Sequence, residues 1–409
     1  MDILPILSTL RRHKVTATLI VLEIALTCAI VCNAVFLISQ RLHRMDMPSG
    51  IAEHQLVQVQ VSTIGSQSDA RARTQEDLAA LRQIPGVQAV TLSSQVPFTN
   101  SSSNSSIELT PTQTQPTLNA TLYFGENVPQ TFGTRLVAGR YFEPDEYVDF
   151  EVANNNPAAI PRSSLITIVT RALAQRLWPG ENPLGKTLYL GDLTSLRVVG
   201  VVDSLIRPSL SWGDDTAQWS LMLPLRMSVG QGASYVLRTA PQDRQRVIKA
   251  AIAALKKLDP KRVITEKRTL DDARAEFFQG DRAMTSLLFG VIIALLLVTG
   301  LGIVGLASFW VAQRRRTIGV RRALGATRAD ILHYFQTENF LLATIGIMLG
   351  MVLAYGINLL LMLHYELPRM PWMYFPIGAL ALWLIGQVAV LGPALRASQV
   401  PPVVATRTV

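Results

Sequence analysis

Four long apolar stretches constrain the fold of this chain more than any other feature of its sequence. They cover residues 15–39, 284–312, 340–363 and 372–395. Each is long enough to cross the hydrocarbon layer of a bilayer as a helix, which takes about 20 apolar residues. Only the first stretch contains a charged residue, Glu23. The sequence therefore predicts an α-helical membrane protein with four transmembrane helices.

The composition agrees with a membrane location, because only 16% of the 409 residues are charged, whereas soluble domains have about 25%. Both cysteines, Cys28 and Cys32, lie in the first apolar stretch. Their position predicts helix packing rather than a disulfide framework. A cleaved signal peptide is the alternative for this stretch. The stretch is longer than a signal peptide requires, however, and no A-x-A-like cleavage site follows it.

Basic residues near the ends of the apolar stretches predict how the chain is oriented in the membrane. They are Arg11, Arg12 and Lys14 before the first stretch, Arg314, Arg315, Arg316, Arg321, Arg322 and Arg328 after the second, and Arg396 and Arg407 after the fourth. Residues 1–14, 313–333 and 396–409 are therefore predicted to be cytoplasmic, and residues 40–283 to lie outside the cytoplasm. This asymmetry explains the net charge of +9, so no nucleic-acid partner is predicted.

Residues 40–283 have the pattern of a mixed α+β domain inserted between the first two transmembrane helices. Strands of alternating polarity flank a helical segment at about 50–99 and again at about 226–270. These two β-α-β parts are predicted to be the halves of one split domain and to pack together. The residues between them, about 100–225, are predicted to form a β-rich insert.

Residues 180–187 match the phosphate-binding pattern G-x-x-x-x-G-K-[ST]. That chemistry needs a strand before the loop and a helix after it, so that amides at the helix N-terminus bind phosphate. The predicted order here is the reverse. An extracytoplasmic nucleotide-binding enzyme would therefore rest on Lys186 alone. No catalytic or metal-ligating residue and no cofactor is predicted for this chain.

Gly300, Gly302 and Gly305 match the dinucleotide-binding pattern G-x-G-x-x-G, but they lie inside the second apolar stretch, with no β-α-β unit around them. Small residues instead allow membrane helices to approach one another closely. These three glycines, together with Gly346 and Gly350 of the third stretch, are predicted to be helix contacts within the chain or across a dimer.

Glu23 is the charge inside the first apolar stretch. A charge at such a depth is costly unless it is hydrated or paired. Two interpretations stay open, namely a hydrated position near the membrane interface and a role in helix pairing.

The segment 313–333 joins the second and third apolar stretches and combines arginines with a small apolar group. Thr327 followed by Asp330 matches a helix capping box. The pattern predicts a short helix, a turn centred on glycine and the start of another helix, which together could dock into the groove of a partner. The residues predicted to make this contact are Arg321, Arg322, Ala323, Leu324, Gly325, Ala326 and Thr327.

Residues 316–331 resemble the signature of the FtsX/MacB-type ABC transporter permeases, the type VII ABC family. Residues 137–142, 176–186 and 197–202 resemble the MacB-type periplasmic core domain, and residues 393–396 resemble the C-terminal end of the family. The resemblance covers nearly the whole chain, with its parts in the expected order.

The resemblance implies a multi-pass protein of the bacterial inner membrane with a large periplasmic domain and both termini in the cytoplasm. Permeases of this family pair, so a second copy or a paralogue is an expected partner, together with membrane lipid. Segment 313–333 would be the coupling segment, which receives ATP-driven movement from an ABC ATPase. About 14 residues precede the first helix, so the ATPase is expected in a separate chain, and this chain is expected to be non-catalytic.

The implied function is to relay that movement to the periplasmic domain, for efflux of a drug, a peptide or another periplasmic cargo. A periplasmic adaptor and an outer-membrane channel would be further partners. An FtsX-like permease that releases lipoproteins or regulates a cell-wall hydrolase is the alternative within the family. A membrane-anchored sensor or scaffold without transport is the alternative from another class.

Overall fold

The computed structural model describes residues 14–62, 69–99, 102–156, 160–191, 194–210, 216–229, 233–365 and 369–400. Arg11, Arg12 and Arg407, which carried part of the orientation prediction, lie outside the described residues. The chain divides into two compact units. We call the residues up to Asp46 and from Gly280 onward the membrane unit, and residues 47–279 the α/β unit.

The α-helices are α1 (Lys14–Met45), α2 (Ala70–Arg82), α3 (Val128–Phe132), α4 (Phe150–Asn155), α5 (Arg171–Leu177), α6 (Arg244–Leu258), α7 (Leu270–Phe277), α8 (Gln279–Gln313), α9 (Arg315–Ala323), α10 (Arg328–Tyr365) and α11 (Tyr374–Ser398). The strands are β1 (Leu56–Ser62), β2 (Val87–Ser93), β3 (Asn104–Glu108), β4 (Leu118–Phe124), β5 (Leu136–Gly139), β6 (Val148–Asp149), β7 (Ile166–Thr170), β8 (Thr187–Leu190), β9 (Ser195–Val202), β10 (Ser220–Leu223), β11 (Leu225–Arg226), β12 (Ser234–Thr239) and β13 (Val263–Thr269).

Four helices of the membrane unit, α1, α8, α10 and α11, are long and apolar enough to cross a membrane. The predicted fold class, an α-helical membrane protein with a mixed α+β domain between its first two long helices, is confirmed. The helices α8 and α10 extend beyond the apolar stretches into charged sequence. Helical backbone hydrogen bonds need no apolar side chains, so a helix can continue past the hydrocarbon layer.

The helix α1 is the most enclosed of the four, since 61% of its most apolar 18-residue stretch is buried inside the protein. A stripe of residues along one face packs into a cluster with α10 and α11; it consists of Ile20, Ile24, Cys28, Cys32 and Phe36. The spacing of four residues places these side chains on one side of the helix. Contacts along this stripe therefore hold α1 in the centre of the membrane unit.

The α/β unit contains a four-stranded antiparallel sheet with the strand order β13-β1-β12-β2. The helices α2 and α6 pack on one face of the sheet, where Val57, Val59 and Val61 meet Leu81 and Val247 in one apolar cluster. The valines alternate along β1 because successive side chains of a strand point to opposite faces. The two β-α-β segments of the sequence thus share a single sheet.

The chain between these two segments forms a mixed seven-stranded sheet with the order β5-β9-β7-β10-β4-β3-β8. The short helix α5 packs against it through Leu173, Ala174 and Leu177, which belong to the core of this sheet. A small parallel pair, β6 and β11, completes the strands in the described part of the unit.

Candidate coupling segment

The short helix α9 ends in a turn that a glycine makes possible. The amides of Leu324, Gly325 and Ala326 donate to carbonyl oxygens of the last turn of α9, at 3.0–3.2 Å. Gly325 has φ +99°, in the left-handed region that residues with a Cβ rarely adopt. These bonds satisfy the last carbonyl groups of the helix and reverse the chain direction. Leu324 therefore lies at the tip of the turn.

The next helix, α10, begins with the capping box that the sequence predicts. The Asp330 carboxylate accepts from the Thr327 amide at 2.9 Å, and the Asp330 amide donates to the Thr327 hydroxyl at 3.2 Å. The Thr327 hydroxyl also donates to the Asp330 carboxylate at 2.7 Å, and this bond, followed by the one from the Thr327 amide, lowers the pKa of Asp330. The box satisfies amides that have no partner within the helix, and so it fixes the point at which α10 starts.

The inner face of α9 packs against the ends of the long helices. Ile318 is buried in an apolar cluster with Val311 of α8, Ile331 and Phe335 of α10, and Ala397 of α11. The Arg322 guanidinium also donates to the carbonyl oxygen of Ser398, in the last turn of α11. The helix α9 therefore contacts three of the long helices at their ends.

The outer face of α9 and its turn are open to solvent. The Leu324 side chain is 83% exposed, and Val320 of the preceding turn is 43% exposed. The guanidinium of Arg321 lies 4.7 Å from the centre of the Tyr334 ring, a distance typical of a cation–π contact. The Leu324 side chain and its neighbouring arginines therefore form an exposed tip with both apolar and positively charged surface.

The predicted contact residues lie together in space. Arg321, Arg322, Ala323, Leu324, Gly325, Ala326 and Thr327 occupy the end of α9 and the turn before α10. Arg322 and Ala326 are half-buried, whereas the other five are exposed. Their contact with a partner stays a prediction.

The predicted helix-contact glycines divide into two groups. A Cβ at Gly346 would come 2.9 Å from the side chain of Ile24, and a Cβ at Gly350 would come 2.5 Å from Cys28 Cβ. These two glycines lie where α10 meets α1. A Cβ at Gly300 would make only ordinary contact with Ile385, at 3.6 Å, and within the described residues a Cβ at Gly305 would meet nothing within 4 Å.

Two models of protein families match this chain. The model described as "MacB-like periplasmic core domain" matches residues 17–255, and "FtsX-like permease C-terminal" matches residues 289–402. The first alone covers more than half of the 409 residues. The chain belongs to the FtsX/MacB-type ABC transporter permeases. It is thus a multi-pass membrane permease with a MacB-like periplasmic domain, as its sequence predicts.

Relatives of this permease have names that describe export. The macrolide export ATP-binding/permease protein MacB of Pasteurella multocida is 24% identical over 348 residues, which are 81% of this chain and 48% of that protein. The pyoverdine export ATP-binding/permease protein PvdT of Pseudomonas putida is 28% identical over 305 residues, 69% of this chain and 42% of that protein. The permease thus spans about half the length of these relatives or less.

Among solved structures, the permease is similar to the periplasmic region of MacB from Actinobacillus actinomycetemcomitans. The sequence identity is 19% and the TM-score is 0.33, with 56% of this chain and 94% of that chain covered.

Glu23 lies beside α8, the second long helix of the permease. A Cβ at Gly302 would come 2.5 Å from Glu23 Oε1, so the absence of a side chain at Gly302 makes room for the carboxylate. One turn further along α1, Thr27 forms a hydrogen bond with Thr299 of α8 at 2.8 Å. This placement favours the helix-pairing interpretation of Glu23, which stays a prediction.

The phosphate-loop match joins a helix to a strand in that order, which is the reverse of a phosphate-binding loop. The helix α5 ends at Leu177, and β8 begins at Thr187. Lys186 is paired with Glu181, and its ammonium lies 5.8 Å from the centre of the Trp178 ring. Lys186 thus pairs within its own turn, and in the described part of this segment a strand, not a helix N-terminus that could bind phosphate, follows it.

One buried ion pair next to the coupling segment was missed by the sequence analysis. Arg314 donates to both carboxylate oxygens of Glu338, at 3.0 and 3.1 Å. Glu338 lies between the segment 313–333 and the apolar stretch 340–363, so neither pattern drew attention to it. Arg314 was interpreted only as a positive charge at the membrane surface. An acidic residue just before an apolar stretch, within reach of an arginine cluster, was the available signal.

The close approach of α1 and α10 allows a first prediction. Gly350→Ala is expected to lower the stability of the permease by about 1–3 kcal/mol, because its Cβ would press on Cys28 and on the backbone of Ala25. Gly356 is a matched control on the same helix, since a Cβ there would meet no described atom within 4 Å. Thermal unfolding in detergent should separate the two variants. Equal midpoints for Gly350→Ala and Gly356→Ala would contradict the packing role of Gly350.

Proposed function

We propose that this permease works in an ABC export complex, in which α9 and the Leu324 tip receive the movement of an ABC ATPase. The observation that carries the proposal is the exposure of Leu324, 83%, at the end of a helix whose other face is packed. Contiguous exposed apolar surface is typical of interaction sites, and Val320, one helical turn before Leu324, is exposed as well. The positive charges around α9 support a cytoplasmic position for it.

The packing of α9 supports a role in transmission rather than simple anchoring. Ile318 joins the apolar cluster at the ends of α8, α10 and α11, and Arg322 holds the last turn of α11. Close-packed interiors have low compressibility and transmit strain. Movement of α9 would therefore shift the ends of these three long helices. One of them, α8, directly follows the α/β unit in the sequence.

The names of the relatives support export as the purpose of this movement. One relative is named for macrolides and another for pyoverdine. We propose efflux of a drug, a peptide or another cargo taken from the periplasm, with a periplasmic adaptor and an outer-membrane channel as partners. A second permease copy or a paralogue would complete the complex.

Photo-cross-linking in native membranes tests this proposal. With a photoreactive residue in place of Leu324, the full chain is expected to cross-link to an ABC ATPase. The same residue in place of Val137, which is 44% exposed in the α/β unit, is the matched control and should not. Mass spectrometry then identifies every cross-linked and co-purified protein.

The proteins recovered decide between the functions. An ATPase with an adaptor would support export, whereas an ATPase with a cell-wall hydrolase or a lipoprotein carrier would favour the alternative within the family. Cross-links at Leu324 that never include an ATPase would refute the coupling role and favour a scaffold.

A further inference from the structure

Among the described residues, polar contacts join α8, and Arg314 directly after it, to the other long helices near both ends and in the middle. Near the start of α8, Arg41 of α1 donates to Asp281 at 2.5 Å, and Arg44 lies 3.5 Å from the same carboxylate. In the middle, Thr27 of α1 forms a hydrogen bond with Thr299 at 2.8 Å. At the far end, Arg314 pairs with Glu338 of α10 at 3.0 Å. Asp281, Thr299 and Glu338 are all buried. Directional contacts of this kind fix α8 at a few points along its length.

Between these points α8 presents large apolar side chains to its surroundings. In α8 only 11% of the most apolar 18-residue stretch is buried inside the protein, whereas in α1 the corresponding share is 61%. Leu287, Phe289, Leu297 and Leu301 are each more than half exposed. A lipid-facing surface offers little resistance to sliding, because lipid tails are as apolar as these side chains. The apolar packing of α8 is concentrated at Ile303, Ala307 and Trp310, and the polar contacts add directional attachment at its two ends and its middle.

The contact between Arg314 and Glu338 lies where α8 gives way to the coupling helix. Arg314 is the residue between α8 and α9, and Glu338 projects from α10 with only 2% of its side chain exposed. The Arg314 guanidinium also lies 5.3 Å from the centre of the buried Trp310 ring. A buried charge that loses its partner is strongly destabilised, so the two side chains are held together.

We propose that Glu338 is a positioning residue: its ion pair with Arg314 holds the junction of α8 and α9 on α10, so that movement of α9 is passed along α8 instead of being taken up by bending at the junction. The inference rests on the proposed function and adds the residue that passes the movement to α8. Glu338 takes no part in docking the ATPase. The Leu324 tip is ten residues from Arg314, a helical distance of about 15 Å. Loss of the pair should therefore leave ATPase docking intact but let the junction bend, so that α8 no longer follows the movement of α9.

Four variants of the full chain separate this role from general destabilisation. Glu338→Gln and Arg314→Gln each remove one charge of the pair. Arg396→Gln is the matched control, because it removes the same charge from an exposed side chain of α11, outside α9 and the Leu324 tip. The double variant Arg314→Glu with Glu338→Arg rebuilds the pair with its charges exchanged.

The measurement is the distance between α1 and α8 near the Asp281 end, with and without ATP and vanadate. Spin labels at Leu42→Cys and Met284→Cys report it, since both positions are exposed and both native cysteines are buried. The chain is purified with its co-purifying ABC ATPase and diluted with unlabelled copies. The ATP hydrolysis rate and the amount of bound ATPase are measured on the same samples.

We expect a nucleotide-dependent distance change in the spin-labelled chain without further substitution and in its Arg396→Gln variant. The change should fall to less than half in Glu338→Gln and in Arg314→Gln, while the bound ATPase stays within twofold. The double variant should recover most of it. A full distance change in a Glu338→Gln sample that binds ATPase would overturn the positioning role alone.

The remaining outcomes are also decisive. If Glu338→Gln does not fold, the double variant carries the test, and a folded double variant without a distance change would overturn the role. Failure of the unmodified chain to bind any ATPase, or to change distance with nucleotide, would overturn the proposed function and this inference with it.

Discussion

Leu324→Asp is expected to remove the stimulation of ATP hydrolysis by the permease while leaving the permease folded. The side chain is 83% exposed, so the substitution disturbs no internal packing. In a complex the carboxylate would have to lose its hydration inside an apolar pocket of the ATPase. Full burial of a leucine side chain stabilises by about 1.5–3 kcal/mol, and a loss of about 2 kcal/mol corresponds to a roughly 30-fold loss of affinity.

The measurement is the ATP hydrolysis rate of the reconstituted complex as the permease concentration is raised. Leu324→Met is the matched control, since it keeps an apolar side chain of similar size and should retain nearly full stimulation. Thermal unfolding of the two variants should agree, because the residue lies outside the packed clusters. Equal stimulation by Leu324→Asp and the unmodified permease would contradict the coupling role.

The layout of the membrane unit could be predicted from the sequence because the bilayer imposes simple rules. A helix must be long and apolar to cross it, and arginines collect on one side. The four long helices obey the first rule closely. The capping box at Thr327 and Asp330 could likewise be predicted, because it depends on two residues only three positions apart in the sequence.

Contacts between distant segments could not be predicted in this way. The pairing of Arg314 with Glu338 depends on how α10 is rotated relative to α8, and no periodicity within either helix encodes that rotation. The same limit applies to the α/β unit. The sequence indicates two β-α-β segments. The strand order of the shared sheet, in which β1 lies beside β12, depends instead on side-chain packing between the segments.

A buried polar cluster in the α/β unit shows the same limit most clearly. Asp77 has no exposed surface, although it lies on α2 among charged residues and resembles an ordinary surface carboxylate in the sequence. Its two oxygens accept from the Arg262 guanidinium and the Tyr235 hydroxyl, each at 2.5 Å. The cluster therefore joins α2 to β12 and to the loop before β13.

The pKa of Asp77 indicates what this cluster contributes. Burial raises it above the usual value, and the hydrogen bonds from Arg262 and Tyr235 only partly oppose that effect. A carboxyl whose pKa is higher in the folded than in the unfolded state stabilises the fold less as the pH rises through that pKa. The ionised cluster is thus a poor source of net stability, but it satisfies the charge of Arg262, which is itself buried.

Asp77→Ala is accordingly expected to lower the free energy of unfolding of the α/β unit by about 3–5 kcal/mol, because it leaves the Arg262 charge buried without its main partner. Replacing the whole cluster, with Asp77→Leu, Arg262→Met and Tyr235→Phe, should recover most of that loss. Glu76→Ala, at the exposed neighbouring position of α2, is the matched control and should change stability by less than about 0.5 kcal/mol.

The comparison uses the full chain in detergent, exposed to increasing urea and then to a short pulse of protease. The fraction of intact α/β unit at each urea concentration gives the stability of that unit. A single Asp77→Ala variant as stable as Glu76→Ala would show that water or a rearranged side chain satisfies Arg262. A triple variant as unstable as Asp77→Ala would show that the three polar groups stabilise the unit through their mutual hydrogen bonds rather than by avoiding an unpaired charge.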